Sequence, residues 1–498
     1  MIPSTCLVTG ATGYVGGRLV PQLLSEGHRV RLLARHPERL RDRPWISQVE
    51  VVAGDAADPD ALARAMDGAD VAYYLLHSIQ EGAGLEAAER VIAETFASAA
   101  RASGLRRIVY LGGLAPDLPR DEMSPHMRSR VDVGNYLRSS GVSVVELRAA
   151  VIIGSGSASF EMLRYLTERL PAMVTPRWVR CRTQPIAIRD VLRYLVGAIA
   201  IPDDVSRAFD IGGPEVMTYE QMMQRYASVA GLRKRIILPI NVLSPGLSSH
   251  WVNVVTPVPR SIARPLVESL RHESVCREHD IAQYVPDPNG GLLPFDEAVR
   301  LALTRIRDAD VVTRWSGASV LGAPSDPLPS DPDWAGGSLL EDVRVRTTRA
   351  TPEQVWQVLE RIGGENGWYS AGILWKARGL ADRLIGGVGL RRGRRDPNVL
   401  VVGDVVDFWR VEECQEPTLL RLRAEMRNPG LAWLEWRVEP TENGTRLRQR
   451  AVFFPRGLAG QAYWWSVSPF HSLVFPRMIG SIVEQAESAP RPSDTITL

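Results

Sequence analysis

Short apolar runs alternate with helical patterns from the start of the chain to about residue 230, and this alternation restricts the fold more than any other feature. Between the runs, apolar residues recur every three or four positions, as in Leu85–Ala102, which is typical of amphipathic helices. Parallel strands need crossovers of this kind. We therefore predict an α/β fold with a doubly wound parallel sheet. Its strands are expected near Cys6–Thr9, Arg29–Leu33, Val49–Val52, Val71–Leu75, Ile108–Leu111, Val142–Leu147 and Phe209–Ile211.

The 498-residue chain is too long for one ordinary core. Residues 317–337 are rich in Pro, Gly, Ser and Asp, a composition typical of linkers. We predict a first domain over residues 1–316, of which about 231–316 form an irregular, proline-interrupted lobe. The apolar side chains of this substrate lobe would either shape a ligand pocket or simply pack on the sheet. A second domain is predicted over 338–490, followed by a tail over 491–498.

The second domain is predicted to be α+β, with a curved antiparallel sheet and a long C-terminal helix. Helices are expected over about Thr351–Arg361 and Gly457–Ala486, the latter with a break at Pro469 or Pro476. Alternating patterns predict strands at Leu340–Thr347, Val399–Val411, Thr418–Met426, Ala432–Pro440 and Thr445–Phe454.

Most of the tryptophans fall in this second half, at positions 334, 356, 368, 375, 409, 433, 436, 464 and 465. Such amphipathic rings would fill a small core, line a cavity for an apolar molecule, or lie at a membrane interface. We assign no role to Glu435, which lies between two of them.

A glycine-rich run, Val8–Gly17, follows the first predicted strand and opens the first helix. Gly10 permits a tight turn, Gly13 lets the backbone approach a pyrophosphate, and Gly16 allows close helix packing. The helix N-terminus adds amides and a positive dipole, and this context favours a dinucleotide site over a plain turn. The residues expected to hold the pyrophosphate are Gly10, Ala11, Thr12, Gly13, Tyr14, Val15 and Gly16.

The second strand is followed by Arg35 rather than by the carboxylate with which NAD enzymes hold the adenosine ribose. A guanidinium can bind a 2′-phosphate through two hydrogen bonds, so NADP(H) is the preferred cofactor and NAD(H) the alternative. Arg35 could instead be a solvated loop residue. The other residues of the predicted cofactor site follow the third and fourth strands or end the fifth: Asp55, Ala56, Leu75, Leu76, His77 and Gly112.

Four segments carry a resemblance to a known family. The glycine run, Gly54–Asp55, Pro185–Asp190 and Phe209–Pro214 together resemble atypical short-chain dehydrogenases/reductases related to NmrA-like proteins. The resemblance covers residues 1 to about 300 and implies a Rossmann-like, NAD(P)-binding oxidoreductase. The layout of the whole chain resembles bacterial proteins in which this domain precedes a DUF2867 domain. The C-terminal half is similar to the polyketide-cyclase/START-like helix-grip fold, whose members enclose apolar ligands.

The chain departs from that family at the residues expected to perform the chemistry. Its usual members carry Tyr-x-x-x-Lys on the helix after strand five, where this sequence has His126 and Arg130. The resemblance implies that His126 would donate a proton to the carbonyl that receives hydride and that Arg130 would hold the nicotinamide ribose. His126 could equally be a surface residue at a helix start, and Ser129 is another candidate donor.

The leading hypothesis is an NADP(H)-dependent oxidoreductase acting on a hydrophobic carbonyl, enone or quinone-like substrate, with the second domain holding the apolar ligand. Because the expected Tyr and Lys are missing, a non-catalytic NADP(H)-binding redox sensor or assembly factor is one alternative. A lipid or isoprenoid carrier, with the first domain as a scaffold, is another. The sequence indicates neither the substrate's identity nor the oligomeric state.

Charge and cysteine usage argue against several other classes. The formal net charge of +2 gives no reason to expect a nucleic-acid partner, and the four cysteines are too far apart for a disulfide framework or a zinc ribbon. His272, Cys276 and His279 are interpreted as part of a solvated helix rather than a metal site. With no secretory signal and no apolar stretch of about 18 residues, we expect a cytoplasmic protein. Peripheral contact with the inner face of the membrane is left open.

Overall fold

The computed structural model describes residues 3–41, 43–76, 85–240, 260–310, 339–364, 367–369, 396, 399–426 and 428–488. Contacts between Cα atoms divide the chain into two compact units, Met1–Gly337 and Ser338–Leu498. The linker predicted over 317–337 and the tail predicted over 491–498 lie outside the described residues.

The first unit is built from strands that alternate with helices. Its strands are β1 (Thr5–Thr9), β2 (Arg29–Ala34), β3 (Glu50–Ala53), β4 (Val71–Tyr74), β5 (Arg107–Gly113), β6 (Ser143–Ala149), β7 (Ile152–Ile153), β8 (Ala172–Pro176), β9 (Arg182–Thr183), β10 (Ile186–Ala187), β11 (Arg207–Ile211), β12 (Met217–Thr218) and β13 (Ile236–Ile240). Its helices are α1 (Tyr14–Ser25), α2 (Pro59–Met66), α3 (Leu85–Ala102), α4 (Pro125–Arg138), α5 (Ala158–Arg169), α6 (Ile188–Gly197), α7 (Tyr219–Val229), α8 (Arg260–Ser269) and α9 (Phe295–Asp310).

Seven of these strands form one parallel sheet in the order β11–β6–β5–β4–β1–β2–β3. The chain runs outward from β1 to β3, returns to β4 beside β1, and then continues outward on the other side. The last residue of β1, Thr9, pairs with Leu33 in β2 and with Tyr74 in β4. This reversal creates a crevice at the carboxyl ends of β1 and β4, where open α/β sheets bind ligands. The predicted doubly wound sheet is confirmed.

Both faces of this sheet are buried, as expected of parallel strands covered by helices. Cys6 and Val8 of β1 pack in one cluster with Leu19 of α1. Leu7 points to the opposite face and packs in a second cluster with Phe96 of α3. Because successive residues of a strand alternate between the two faces, β1 contributes to both cores and fixes α1 and α3 on opposite sides.

The lobe predicted over residues 231–316 is more regular than expected. β13 pairs in parallel with β8. α8 and α9 pack with α5 and α7 around a separate cluster that includes Phe160, Tyr226, Val267 and Phe295. The described part of this region is therefore a packed subdomain, in which Pro239 lies within β13 and Pro265 within α8.

The segment 271–279, which follows α8, is not helical. The solvated helix predicted for His272, Cys276 and His279 is therefore wrong. Cys276 packs against Gly212, where an added Cβ would lie 2.7 Å from its sulfur, and burial raises the pKa of this thiol to about 12. Within the described ranges, no group of three or more His, Cys, Asp or Glu side chains could hold a metal ion.

Within the residues that the structure describes, the second unit contains a six-stranded antiparallel sheet and two α-helices. Its strands are β14 (Leu340–Thr348), β15 (Val405–Val406), β16 (Trp409–Gln415), β17 (Leu419–Ala424), β18 (Gly430–Thr441) and β19 (Gly444–Pro455), in the order β14–β19–β18–β17–β16–β15. Its helices are α10 (Pro352–Glu360) and α11 (Gly457–Ser488). The predicted antiparallel sheet with a long C-terminal helix is confirmed.

Two details of this unit differ from the prediction. The strand expected over Val399–Val411 is divided, because a turn containing Asp407, with φ 57°, separates β15 from β16. α11 continues through Pro469 and Pro476 without the predicted break. One face of the sheet packs with both helices in a single core that includes Trp356 of α10 and Ile482 of α11.

A buried ionic cluster lies on the other face of this sheet. Arg421 is fully buried and alternates along β17 with the core residues Leu420 and Leu422. Its guanidinium donates to the carboxylate of Glu435, with 2.7 Å between Nη2 and Oε2, and to that of Glu413. A bulge in β16 brings Glu413 opposite Arg421. Glu435, for which the sequence predicts no role, thus shares the buried Arg421 with Glu413.

Burial affects the two carboxylates of this cluster differently. It raises the pKa of Glu413. Burial also opposes ionisation of Glu435, but the hydrogen bonds from Arg421 and Arg437 outweigh it and lower the pKa of that carboxyl. The arginines therefore keep Glu435 charged inside the sheet.

Arg421→Ala is expected to reduce the free energy of unfolding by about 3–5 kcal/mol, because two buried carboxylates lose their shared cation. Arg423→Ala is the matched control: Arg423 lies two residues further along β17, is partly exposed and approaches Glu412 only at 4.0 Å. The Arg423→Ala variant should lose no more than about 0.5 kcal/mol of its free energy of unfolding. Urea unfolding followed by tryptophan fluorescence measures both, since most tryptophans belong to the second unit. Equally small losses in the two variants would contradict a role for the cluster in stability.

Candidate cofactor and substrate sites

The turn between β1 and α1 is so tight that two of its positions have no room for a side chain. Gly10 has φ 77°, in the left-handed region that favours glycine. A Cβ at Gly10 would lie 2.6 Å from the carbonyl oxygen of Leu75, and a Cβ at Gly16 would lie 2.3 Å from that of Gly10. The Gly13 amide donates to the Gly10 carbonyl at 2.9 Å. These contacts hold the start of α1 against the ends of β1 and β4.

This glycine turn brings the N-terminus of α1 to the crevice. The N-cap residue, Gly13, has no side chain with which to cap the amides of the first turn. A helix N-terminus that a ligand can approach without meeting Cβ atoms is a favourable site for a pyrophosphate. The residues present therefore fit a dinucleotide. The other predicted residues, Ala11, Thr12, Tyr14 and Val15, complete the turn and the first turn of the helix.

Arg35 and Asp55 lie at the same edge of the sheet, just beyond β2 and β3. The Arg35 side chain is 72% exposed, and its Nη1 lies 3.9 Å from Oδ2 of Asp55. The amide of Ala57 donates to Oδ1 of Asp55 at 2.9 Å, and Ala56 between them is buried. Because β2 is adjacent to β1, Arg35 presents its guanidinium to solvent one strand away from the glycine turn.

The residues predicted after β4 and in β5 lie on the other side of the crevice. Leu75 and Leu76 follow β4 and are half-buried. Gly112 in β5 lies over a buried carboxylate, since an added Cβ would be 3.0 Å from Oε1 of Glu146. His77 lies outside the described residues. The other predicted cofactor residues are thus brought together along one edge, at the ends of β3, β2, β1, β4 and β5.

α4 places the predicted catalytic residues over the end of β5. Ser124 caps this helix by accepting a hydrogen bond from a first-turn amide, which puts the half-buried His126 in the first turn and Arg130 four residues later on the same side. The buried Arg130 guanidinium donates to the carbonyl of Leu111 and lies 5.0 Å from the ring centre of Tyr110. The Tyr110 hydroxyl donates to the Arg130 carbonyl at 3.0 Å. Arg130 is thus fixed beside β5.

Ser129, the other candidate proton donor, already has an acceptor. Its hydroxyl donates to the carboxylate of Glu89 in α3, and both side chains are buried. Sequence reasoning missed Glu89, although a signal was present, since it shares a helical stripe with the buried Ala93, Phe96 and Ala100. The pair joins α3 to α4 and therefore positions the helix that carries the predicted catalytic residues.

The segment that follows α8 reaches the same edge through Arg277. Its Nη2 donates to the carbonyl of Ala115, two residues beyond β5, at 2.7 Å. Its backbone amide donates to Asp210 of β11 at 3.1 Å, and burial raises the pKa of that carboxyl. These bonds fix part of the predicted substrate lobe beside the ends of β5 and β11.

The second unit contains an apolar cavity of about 350 Å³ between its sheet and α11. This volume lies within the range of small-molecule sites. Its walls include Trp433 and Phe453 from the sheet, and Trp464 stacks on Phe453 with 5.9 Å between ring centres. Trp409 also lines the cavity, and its buried indole N–H has no hydrogen-bond partner among the residues that the structure describes. The indole nitrogen itself is closed off from the cavity, so the lining suits an apolar molecule.

The tryptophans of this half of the chain serve more than one purpose. Trp356, Trp368 and Trp436 are buried in the core, whereas Trp409, Trp433 and Trp464 line the cavity and Trp465 is exposed. Trp334 and Trp375 lie outside the described residues. Some of these tryptophans therefore fill the core, as one interpretation predicted, and others line a cavity, as another predicted.

Comparison with protein families identifies both halves of the chain. Residues 10–162 match the NAD(P)H-binding family, and residues 334–478 match a family described as "Protein of unknown function (DUF2867)". The first match contains the glycine turn, Arg35 and α4. The first unit is also similar to a solved structure, that of Citrobacter sp. triphenylmethane reductase complexed with NADP(H), with a TM-score of 0.48 and 20% identity over 60% of this chain and 99% of that one.

Two curated reductases are similar in sequence to the first unit. The chain is 28% identical over 291 residues to (4-alkanoyl-5-oxo-2,5-dihydrofuran-3-yl)methyl phosphate reductase of Streptomyces griseus subsp. griseus. This alignment covers 57% of this chain and 92% of that protein. It is 31% identical over 244 residues to ceramide reductase of Caulobacter vibrioides, and this alignment covers 46% of this chain and 72% of that protein. The chain therefore belongs to the NAD(P)H-binding, short-chain dehydrogenase/reductase-like family of NAD(P)H-dependent reductases and continues into a DUF2867 domain.

Proposed function

We propose that this protein uses NADPH to reduce a hydrophobic carbonyl, enone or quinone-like substrate. The observation that carries the proposal is the arrangement at the ends of β1, β4 and β5, three neighbouring strands. The glycine turn follows β1, while Arg130 donates to the Leu111 carbonyl near the end of β5 and His126 lies on the same side of α4. Groups that would hold a dinucleotide and groups that would serve a reduction thus share one edge of the sheet.

Arg35 supports NADPH rather than NADH as the cofactor. Its exposed guanidinium occupies the place where a carboxylate would bind the hydroxyls of an adenosine ribose. A 2′-phosphate would pair with this cation. Asp55, 3.9 Å from Arg35, would then limit how far the guanidinium can swing away.

Two residues of α4 would have different parts in the chemistry. Bound NADPH supplies a hydride to the carbonyl carbon, and the carbonyl oxygen then needs a proton to become an alcohol. His126 would donate this proton, since an imidazole titrates near neutral pH. Arg130 is fixed by the Leu111 carbonyl, so it would orient the nicotinamide ribose. Ser129, bonded to Glu89, would position the helix.

The cavity of the second unit supports an apolar substrate. It is lined largely by apolar and aromatic side chains, among them Trp433, Phe453 and Trp464. One of the related reductases carries ceramide, a lipid, in its name. We propose that the second unit holds or delivers the molecule that the first unit reduces.

A non-catalytic NADP(H) sensor is the second candidate, because His126 and Arg130 stand where reductases of this type carry Tyr and Lys. A sensor would bind NADPH but would not consume it in the presence of any carbonyl or quinone. The lipid carrier suggested by the cavity predicts in addition that purified protein retains a lipid, which mass spectrometry of an organic extract would detect.

Arg35→Ala is expected to weaken NADPH binding by about 10–100-fold, because a charge-assisted pair of hydrogen bonds to the 2′-phosphate is lost. NADH binding should change by less than about threefold, since NADH has no such phosphate. Arg41→Ala, at an exposed arginine beyond the same strand, serves as the control. Fluorescence titration with each cofactor measures the effect. Equal affinities of the wild type for NADPH and NADH would contradict the role of Arg35.

The catalytic proposal is tested by NADPH consumption with a panel of apolar aldehydes, enones and quinones. His126→Ala should lower kcat by about 10²–10⁴-fold, the usual contribution of a general acid, and should leave the NADPH dissociation constant unchanged. Arg130→Met should weaken NADPH binding as well as lower kcat, and Asn135→Ala, exposed on the same helix, should stay within about twofold of wild type. Unchanged turnover in His126→Ala would exclude it as the donor. If wild type binds NADPH but does not oxidise it with any aldehyde, enone or quinone of the panel, the result would favour the sensor.

A further inference from the structure

α11 exposes large apolar side chains on one side. Leu458, Trp465, Phe470 and Leu473 are between 44% and 67% exposed, and at 3.6 residues per turn they fall within an arc of about 140°. We refer to these four residues as the apolar face of α11. Large exposed apolar side chains that share one side of a helix are typical of an interaction site.

The charges along α11 suit a negatively charged partner. From Gly457 to Val483 the helix contains no Asp or Glu, and its one charged residue there is Arg477. Arg456 immediately precedes the helix, and both arginines are exposed. The acidic residues Glu484 and Glu487 lie in the last turns. A surface that combines anionic groups with an apolar interior would match this arrangement.

The apolar face adjoins the cavity. Phe470 is half exposed and also lines the cavity, together with its neighbour on the helix, His471. The ring of His471 lies 4.9 Å from that of Trp464 and 4.7 Å from that of Phe475. Phe470 therefore belongs both to the apolar face and to the wall of the cavity.

We propose that the apolar face of α11 docks on an anionic lipid bilayer and that apolar ligands enter the cavity from that bilayer past Phe470. The ligand part of this inference rests on the proposed function; the docking part does not. Tryptophan favours the boundary between headgroups and acyl chains, which fits the exposure of Trp465. No helix among the residues described is long and apolar enough to cross a membrane, so the contact is along the surface.

The test uses the full chain with vesicles of phosphatidylcholine alone or mixed with phosphatidylglycerol, and measures the bound fraction by sedimentation. Wild type is expected to bind the mixed vesicles more tightly. Trp465→Ser combined with Leu473→Ser should weaken binding to them at least about tenfold through lost apolar contact, and Arg477→Gln by about fivefold. Ile236→Ser combined with Leu238→Ser removes apolar residues of β13 that are exposed to a similar degree and should change nothing.

A short-chain benzoquinone, followed by quenching of tryptophan fluorescence, distinguishes docking from ligand binding. When the quinone is delivered in detergent, it should bind wild type and the Trp465/Leu473 variant equally. When it is delivered in vesicles, it should reach wild type only.

Ala432→Trp narrows the cavity, which Ala432 lines. This variant should no longer bind the quinone but should still bind vesicles. Vesicle binding by a wild type that takes no quinone from detergent would support docking and contradict the cavity part of the proposed function. Equal vesicle binding by wild type and the Trp465/Leu473 variant would overturn docking. Docking would also be overturned if wild type binds no vesicles but self-associates, and if the Trp465/Leu473 variant does not self-associate.

Discussion

The close approach of the glycine turn to the carbonyl of Leu75 sets the geometry on which the first unit depends. With only hydrogen atoms at Gly10 and Gly16, the first turn of α1 lies against the ends of β1 and β4, where the strand order reverses. A methyl group at either position would move the helix N-terminus away from this crevice. Glycine loses more conformational freedom on folding than any other residue, so the chain gives up some stability to place amides and a helix dipole where a pyrophosphate can bind.

The same edge shows what the proposed exchange of Tyr and Lys for His126 and Arg130 would mean physically. A lysine is a flexible point charge, whereas a guanidinium is planar and can be held in one orientation by several acceptors. Arg130 is held in this way between the Leu111 carbonyl and the ring of Tyr110. Proton donation would then fall to an imidazole, which titrates several pH units below a phenol, so the reaction would depend on pH differently from one that uses Tyr.

Periodicity predicted the elements whose burial is a local property of the sequence. Strands of the first sheet read as apolar runs because both of their faces are covered, and the glycine turn was recognisable from its place between a strand and a helix. Features that depend on pairing between distant segments were not predictable. Arg421 meets Glu413 only because of a bulge in β16. Likewise, the charged pattern around Cys276 resembled a helix, but bonds from Arg277 to Ala115 and Asp210 hold that segment in an irregular form.

A crystal structure of the full chain with NADP⁺ would test the central claim most directly, because it shows the cofactor and its contacts together. The account predicts the pyrophosphate against Gly10 and Gly13 at the start of α1, the 2′-phosphate beside Arg35, and the nicotinamide ribose within hydrogen-bond distance of Arg130. A cofactor bound with its pyrophosphate away from the glycine turn, or with its 2′-phosphate in solvent and its nicotinamide far from α4, would contradict it.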